Sequence, residues 1–441
     1  MQLDSAPRPA PVRARLRAAA CLLLASSIPG ARAAAAATTQ FDASGLLYGE
    51  LDRAKVVEPT LRVMRLLDNG QSFSAGLVLD AITGASPSGA MPTGRAMTTT
   101  SASGTVTNHA PGEIPTSPFS DFRGALELGW HQPLGGIVAT DLVTHYSREK
   151  DYQSIGGTAA LSLDLMQRLT SVTVGGGYDY DNVFPVNGVP VGLSPVVAGT
   201  GGPPDEGPTN ASAVTAAAAT GGTSAAVKQV PSAVVGVSRI LTRRWMVSLN
   251  ASRIVQRGYL TEPYKIVSVI DPDSGTTVGS ITEQRPTTRD RRDLLANSVY
   301  HFGTGVFYSS YRYYWDDWGV RSHTIDLKYR RDLAEETFFQ PHVRLYAQTA
   351  ADFFRFGVVQ GEPLPTYASS DYRLGPLRSV TLGGTYGFHV PDYPGELTVR
   401  AEYILQWGDG HPSDAVGVQR TLDLMPPLHI ATVMVGYTRT F

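Results

Sequence analysis

The segment from Val306 to Ala350 constrains the fold most, because its side chains alternate between apolar and polar along three consecutive runs. In the middle run, Ile325 and Leu327 share one face, whereas Asp326 and Lys328 share the other. Side chains alternate across a β-strand, so each run predicts a strand with one apolar and one charged face. Runs of about 10 residues exceed the strands usual in soluble sandwiches and match a tilted bilayer crossing. The alternation therefore predicts an all-β, transmembrane antiparallel β-barrel with a polar lumen.

Composition alone does not distinguish such a barrel from a soluble protein. The chain has 441 residues, 42% of them hydrophobic, and a mean hydropathy of −0.09. A barrel whose strands alternate apolar and polar residues has a similar mean hydropathy. No stretch of the sequence approaches the roughly 18 apolar residues of a membrane-spanning helix. Because only helices and closed barrels satisfy their backbone polar groups in lipid, the sequence favours a closed barrel.

The N-terminal residues 1–33 have the pattern of a cleavable signal peptide. A region rich in arginine precedes the short apolar stretch from Ala18 to Ile28, and Ala31 and Ala33 supply the small residues of a cleavage site. Removal of this segment would also remove Cys21, the only cysteine, so no disulfide is expected in the mature protein. The chain has 37 Lys and Arg against 39 Asp and Glu, and this balance gives no indication of nucleic-acid binding. Export and a β-barrel together predict the bacterial outer membrane.

The remaining residues 34–441 are interpreted as one barrel domain. The pattern predicts about 16 strands, or about 14 if the weak segment Leu46 to Leu51 is not part of the wall. Ala34 to Ala43 is interpreted as a leader of small residues. Short turns should face the periplasm and long loops the exterior, as in other outer-membrane barrels. Three segments are predicted to be long exterior loops, namely residues 83–118, 187–228 and 258–290.

Four motifs carry a family resemblance, namely Leu79 to Ala90, Gly258 to Ile266, Tyr311 to Gly319, and Pro341 to Tyr346 with Ala350 to Phe353. The chain resembles a large uncharacterised family of Gram-negative outer-membrane proteins, known only as a domain of unknown function. The resemblance implies an outer-membrane β-barrel and supplies no established activity or catalytic residue. Genes of the family often lie near genes for periplasmic thioredoxin-like and flavin-transfer proteins, so the resemblance implies periplasmic partner proteins.

Charged residues on the polar faces of the strands are candidates for the lumen wall. A charge facing lipid at mid-depth costs roughly 2–4 kcal/mol, so these side chains should point inward. Two interpretations remain open, namely a salt-bridged interior that fills the barrel and a charged pore that selects ions. The predicted residues are Arg123, Glu127, Asp164, Arg312, Asp326, Lys328, Arg330, Arg344, Arg400 and Glu402.

The sharpest local motif is predicted to lie at the rim, and comprises Trp315, Asp316, Asp317 and Trp318. The favoured interpretation is an aromatic girdle at the membrane interface beside a charged turn. The alternative is a divalent-cation or sugar site formed by the two carboxylates and the tryptophans. Adjacent side chains on an extended segment point apart, which argues against joint chelation.

Catalysis and cofactor binding are not expected. Ser322, His323 and Asp317 are the one conceivable catalytic group, but adjacent residues on a strand point to opposite faces. The histidines lack metal-ligand spacing, so neither a metal nor another cofactor is predicted.

The sequence therefore predicts a porin-like or export channel for a small solute of unknown identity. A closed or plugged barrel that acts as a structural or assembly partner of a periplasmic system is the alternative. A hydrolase at the rim is a third, weaker hypothesis. The expected partners are outer-membrane lipid, the outer-membrane assembly machinery and periplasmic proteins. An amphipathic final strand that ends in Phe441 resembles the signal recognised by that machinery.

Overall fold

The computed structural model describes residues 37–51, 53–92, 97–100, 106–110, 113–185, 188–196, 213–215, 223–334, 336–390 and 393–441. The predicted signal peptide, residues 1–33, lies outside this described part. None of the helices among the described residues is long and apolar enough to cross a membrane.

The described part of the chain contains twenty-two strands and two short 3-10 helices. In chain order the strands are β1 (Thr38–Glu50), β2 (Lys55–Leu66), β3 (Ser72–Pro87), β4 (Met97–Thr100), β5 (Val106–His109), β6 (Thr116–Pro133), β7 (Val138–Arg148), β8 (Tyr152–Leu165), β9 (Thr170–Val183), β10 (Ala213–Thr215), β11 (Ala226–Thr242), β12 (Trp245–Gly258), β13 (Ile266–Ile270), β14 (Thr277–Thr282), β15 (Thr288–Phe302), β16 (Gly305–Asp316), β17 (Arg321–Ala334), β18 (Thr337–Gln348), β19 (Gly357–Val359), β20 (Leu377–Val390), β21 (Tyr393–Gly408) and β22 (Leu428–Thr440). The 3-10 helices are Tyr372–Leu374 and Gly417–Thr421.

Sixteen of the described strands form one closed antiparallel barrel. Their order around the wall is β1-β2-β3-β6-β7-β8-β9-β11-β12-β15-β16-β17-β18-β20-β21-β22. The first and last strands close the ring, with the amide of Phe441 donating to the carbonyl of Thr39 at 2.8 Å. This confirms the prediction of 16 strands, and β1 belongs to the wall. The predicted small-residue leader is wrong from Thr38 onward, because hydrogen bonds to β2 and β22 make that part a strand despite its weak alternation.

The wall has an apolar outer face and a polar inner face. On β12, Leu249 is 56% exposed while the adjacent Asn250 is 5% exposed, and on β15 Leu294 and Asp293 show the same contrast. The period of two that defined the sequence pattern is therefore the period that separates the apolar outer face from the polar inner face.

The two ends of the barrel differ in how the strands are connected. At one end the turns are tight, as at Gly70, whose φ of 82° suits the Asn-Gly pair of a hairpin. At the other end the barrel strands are joined by long connections, residues 88–115, 184–225 and 259–287. The first and last residues of each connection lie within a few residues of those of a predicted loop. Two further long connections, residues 349–376 and 409–427, were not predicted.

Several of these long connections fold together over their end of the barrel. Strands β13, β14 and β19 form a separate sheet that draws on two connections. It encloses a small apolar core of Val267, Ile281, Val358 and Ala368, each at most 8% exposed. Backbone hydrogen bonds join three more segments to these two connections, from Ile266 to Ser88, from Thr282 to Ser194 and from Val418 to Ser274. We name the whole assembly the cap, and it consists of residues 88–92, 188–196, 259–287, 349–376 and 409–427.

Candidate functional site

All ten residues predicted for the lumen wall lie on the inner face of the barrel strands and are half-buried. Outward neighbours such as Leu128, Ile325 and Leu345 are exposed. Most of the ten take part in ion pairs or hydrogen bonds with side chains on the same or adjacent strands. These contacts include Arg123 with Asp80, Asp164 with Ser171, Arg312 with Asp293, Arg330 with Asp332 and Arg400 with Glu402.

One inner network joins β17, β18 and β21 through His342. Its Nε2 lies 2.9 Å from Asp326 and its Nδ1 lies 2.6 Å from Glu402. The contact with Glu402 crosses the intervening strand β20 at Gly383, where an added Cβ would lie 2.6 Å from Cγ of Glu402. Glycine at this position therefore lets His342 reach a strand that is not its neighbour.

Sequence reasoning did not select His342 or Asp80 for the inner wall. His342 is 6% exposed, and Asp80, at 0%, receives a hydrogen bond from Nε of Arg123 at 2.5 Å. The alternation in the sequence could have identified both residues, since each lies an even number of positions from most of the other polar residues of its strand. Pairing across strands, which the sequence does not display, shows which polar residues meet.

The rim motif divides into residues with different surroundings. Asp316 accepts two hydrogen bonds from Arg289, at 2.8 and 2.6 Å, and one from each of the amides of Trp318 and Val320 at 3.0 Å. Asp317 instead accepts from the amide of Asp290 at 2.8 Å. The two carboxylates thus have separate partners, as expected for adjacent residues that point apart.

The aromatic-girdle interpretation fits Trp315 but is wrong for Trp318. Trp315 stacks on Tyr313 on the outer face, with ring centroids 5.4 Å apart. Trp318 is 4% exposed, packs against Phe353, and donates from Nε1 to the carbonyl of Thr288 at 2.8 Å. The reason is that the chain turns at the rim after Asp316, which carries Trp318 off the strand and beneath the connection that follows β18.

The conceivable catalytic pair is separated by the wall. Ser322 is 5% exposed on the inner face, whereas His323 lies on the outer face, 2.7 Å from the hydroxyl of Tyr311. The two side chains therefore lie on opposite faces of β17, as the alternation of the strand predicted.

The cap holds a buried cluster of charges that the sequence analysis did not identify. Arg285 lies 2.6 Å from Glu283 and 2.9 Å from Asp371, and Arg373 lies 2.5 Å from the same aspartate. Glu283 is 0% exposed and also accepts from the hydroxyl of Ser369. Burial alone would raise the pKa of Asp371, but Arg373 and Arg285 outweigh it and hold that pKa well below its usual range. The aspartate is therefore ionised within the cap.

Contacts of residues 259–287 extend across the barrel. This connection leaves the wall at β12 and returns at β15. The ammonium group of Lys265 donates to the carbonyl of Pro87 on β3, which lies six places from β12 by way of β11, β9, β8, β7 and β6. On the other side, the carbonyl of Ser274 accepts from the amide of Val418 at 2.9 Å, in the connection between β21 and β22. Because the ring has sixteen strands, such contacts place the cap across the mouth.

Three carboxylates also meet at the loop end of the barrel. Asp121, Glu149 and Asp151 each place an oxygen within 4.8 Å of the others. Burial raises the pKa of Glu149 to about 7, against the opposing effect of Arg123 and with help from Asp121. Asp151 also accepts a hydrogen bond from the hydroxyl of Tyr264 at 2.5 Å, which attaches the cap to this part of the rim.

Comparison with known proteins gives a family but no activity. Residues 13–439 match the family described as Protein of unknown function (DUF3570). No curated protein matches the chain.

Solved structures with a similar fold are distant. A ferric enterobactin receptor mutant from Pseudomonas aeruginosa is 10% identical, with a TM-score of 0.42 over 91% of this chain. The siderophore receptor PirA from Acinetobacter baumannii is 8% identical, with a TM-score of 0.43 over 90% of this chain. This chain spans 59% of the length of each of these receptors. The outer membrane protein opdK from Pseudomonas aeruginosa is 7% identical, with a TM-score of 0.40 over 92% of this chain and 99% of that one. The family match covers nearly the whole sequence, and the chain therefore belongs to the family of proteins of unknown function DUF3570.

Proposed function

We propose that this protein is a channel of the bacterial outer membrane for a small polar solute, and that the cap controls access to its exterior mouth. The observation that carries the proposal is the reach of residues 259–287 across a ring of sixteen strands. A barrel of this size encloses more space than inward side chains usually fill. A folded segment across the mouth is therefore placed where it governs entry.

The charged inner wall supports passage of a polar solute. Asp326 and Lys328 are 22% and 36% exposed on the inner face, so their ion pair is accessible to solvent. Selectivity in such pores arises from the sign and position of wall charges. Since both signs occur along the wall, a solute with both polar and charged groups suits it better than a simple ion.

The outer-membrane location is supported by the architecture. The strand number is even, the outer face is apolar, and tight turns occupy the end at which both described termini pair. The long connections then face the exterior, as does the cap.

The test is single-channel conductance of the refolded mature protein in a planar bilayer. Replacement of residues 264–283 by a short Gly-Ser linker should raise the conductance, because it removes the segment that crosses the mouth. Shortening the connection between β21 and β22 by the tip residues 411–414 serves as the control, since this change leaves that segment in place. Heat-modifiable gel mobility verifies folding of each protein.

A plugged barrel that serves a periplasmic partner is the second candidate. The complete burial of Glu283 and the dense ion pairing around Arg285 favour it, because such a cap is costly to open. Verified folding with no conductance in either the wild type or the linker variant would contradict the channel and support the plugged barrel. A rise in conductance in the linker variant alone would show that the lumen is continuous and that the cap closes it. We propose a catalytic role for neither form.

A further inference from the structure

The outer face of the wall carries a row of arginines near the cap. Arg253 on β12 pairs directly with Arg292 on β15, which pairs with Trp315 on β16, which pairs with Arg321 on β17. Directly paired residues in a sheet have Cβ atoms roughly 5 Å apart. The row therefore runs continuously across four neighbouring strands on the lipid-facing side.

The side chains of this row are accessible. Arg253 is 61% exposed and Arg292 is 46% exposed, and Arg321 is also exposed. Asp290, two residues before Arg292 on β15, is an acidic neighbour of the row, with its carboxylate 2.9 Å from Arg253 and 2.6 Å from Arg292. Each guanidinium has five N–H donors, so one carboxylate leaves most of their hydrogen-bonding capacity unused. A second carboxylate, that of Asp317, accepts from the amide of Asp290 at 2.8 Å, so three cations face two anions and the row keeps a net positive charge.

Aromatic side chains mark the depth of the row. Directly below it, Tyr313 lies with its ring 5.1 Å from that of His323 and 5.4 Å from that of Trp315. One step further from the cap are Tyr311 and Ile325, both exposed on the same face. Tyrosine and tryptophan collect at the level of lipid headgroups, with apolar residues beyond them in the hydrocarbon. The arginines thus lie at or just above headgroup level.

We propose that this row binds the phosphate groups of a lipid in the leaflet nearest the cap. A guanidinium matches phosphate through two parallel hydrogen bonds, and paired guanidinium groups suit a headgroup that carries more than one phosphate. The acyl chains then lie along the apolar face formed by Leu294 and Leu249, which are 41% and 56% exposed. The site is distinct from the lumen and does not depend on whether the lumen conducts.

Native mass spectrometry of the refolded protein in a neutral detergent tests this site, with diphosphoryl lipid A and phosphatidylcholine as probes. The wild type should retain the diphosphoryl lipid more strongly than phosphatidylcholine. The double variant Arg253→Gln with Arg292→Gln should bind it at least about tenfold more weakly, since one charge-assisted hydrogen bond already accounts for that factor. Arg243→Gln with Arg244→Gln removes the same charge from the exposed turn at the other end of the β11–β12 hairpin and should bind like the wild type.

Equal binding by the wild type and the Arg253 and Arg292 variant would overturn the proposal, as would an equal loss in the turn control. Displacement of the lipid by excess inorganic phosphate alone would also overturn it, because the site would then take a free anion and not a lipid. Asp290→Asn provides an independent test if the double variant does not fold. It removes the competing carboxylate, so lipid binding should tighten about threefold, and unchanged or weaker binding would contradict the assignment.

Discussion

The ion pairs of the barrel wall and those of the cap use the same residue types in different settings. On the wall, Asp326 and Glu402 meet His342 from strands that the register places close together, and they remain 22% and 10% exposed. In the cap, Arg285 meets Asp371 across 86 residues of sequence, and that aspartate is 4% exposed. A wall pair with exposed members, such as Asp326 with Lys328, can exchange one partner for water, whereas the cap pairs have lost most of their access to solvent. Removal of a partner should therefore cost more in the cap than at such a wall pair.

The largest expected effect tests the cap directly. Asp371→Asn leaves Arg285 and Arg373 without the carboxylate that both contact, and loss of one member of a buried pair costs about 3–5 kcal/mol. The cap should open while the barrel stays folded. Limited trypsin cleavage of the folded protein in vesicles should become faster within residues 259–287, and conductance should rise.

Asp273→Asn is the matched control, because Asp273 is an exposed aspartate in the same connection. Its cleavage rate should equal that of the wild type. If Asp371→Asn is also cleaved at the wild-type rate, the buried cluster does not hold the cap in place.

The rim offers a second contrast within two adjacent residues. The side chain of Asp316 is 0% exposed and bonds Arg289, so Asp316→Asn should lower the free energy of unfolding by about 2–4 kcal/mol. Asp317 is exposed and accepts a single amide bond, so Asp317→Asn should cost less than about 1 kcal/mol. Urea unfolding in lipid vesicles measures both, and similar losses for the two variants would refute the distinction between buried and exposed partners.

The carboxylate group at the rim predicts a pH dependence of opposite sign to that of the cap aspartate. The pKa of Glu149 is raised from 4.5 to about 7, so between these values the folded protein keeps a proton that the unfolded chain has lost. Stability therefore falls as the pH rises through this window and is lowest above it. Glu149→Gln should abolish this dependence and stabilise the protein at pH above 7 by roughly 1–3 kcal/mol.

The measurement is urea unfolding at a series of pH values, with Glu362→Gln, an exposed glutamate of the cap, as the control. The control should keep the wild-type slope. A wild-type profile that is flat from pH 4.5 to 7 would count against the raised pKa of Glu149.

The smallest effect concerns ion selectivity and not stability. Arg344 lies on the inner face, so Arg344→Glu should shift the reversal potential in a salt gradient toward cation preference. Arg331→Glu makes the same charge change on an exposed residue of β17 and should leave selectivity unchanged. Equal shifts for both variants would mean that selectivity reports total charge and not the wall. The linker variant of the cap is the appropriate background if the wild type does not conduct.

Much of the wall was predictable because alternation is a local property. The strand count, the tight turns and the inner position of residues such as Arg312 and Glu402 follow from parity and turn chemistry alone. The first strand was underestimated because Thr38 to Ala43 has little alternation, and its strand conformation depends on pairing with β2 and β22. The prediction for Trp318 was wrong because the alternation of side chains between two faces does not continue past the end of a strand.

Which residues lie on the apolar outer face and which lie on the inner face therefore follows from the amino-acid sequence, since each strand encodes that choice in its own period of two. The contacts between connections depend on how the whole chain folds. Nothing near Arg285 in sequence indicates that it will meet Asp371, and nothing near Lys265 indicates Pro87. The arginine row on the outer face is an intermediate case. Parity places Arg253 and Arg292 outside, but only the register between β12 and β15 places them side by side. The physical reason is that the face on which a side chain lies follows from local backbone geometry. Contact between residues far apart in sequence requires the intervening chain to form a closed loop.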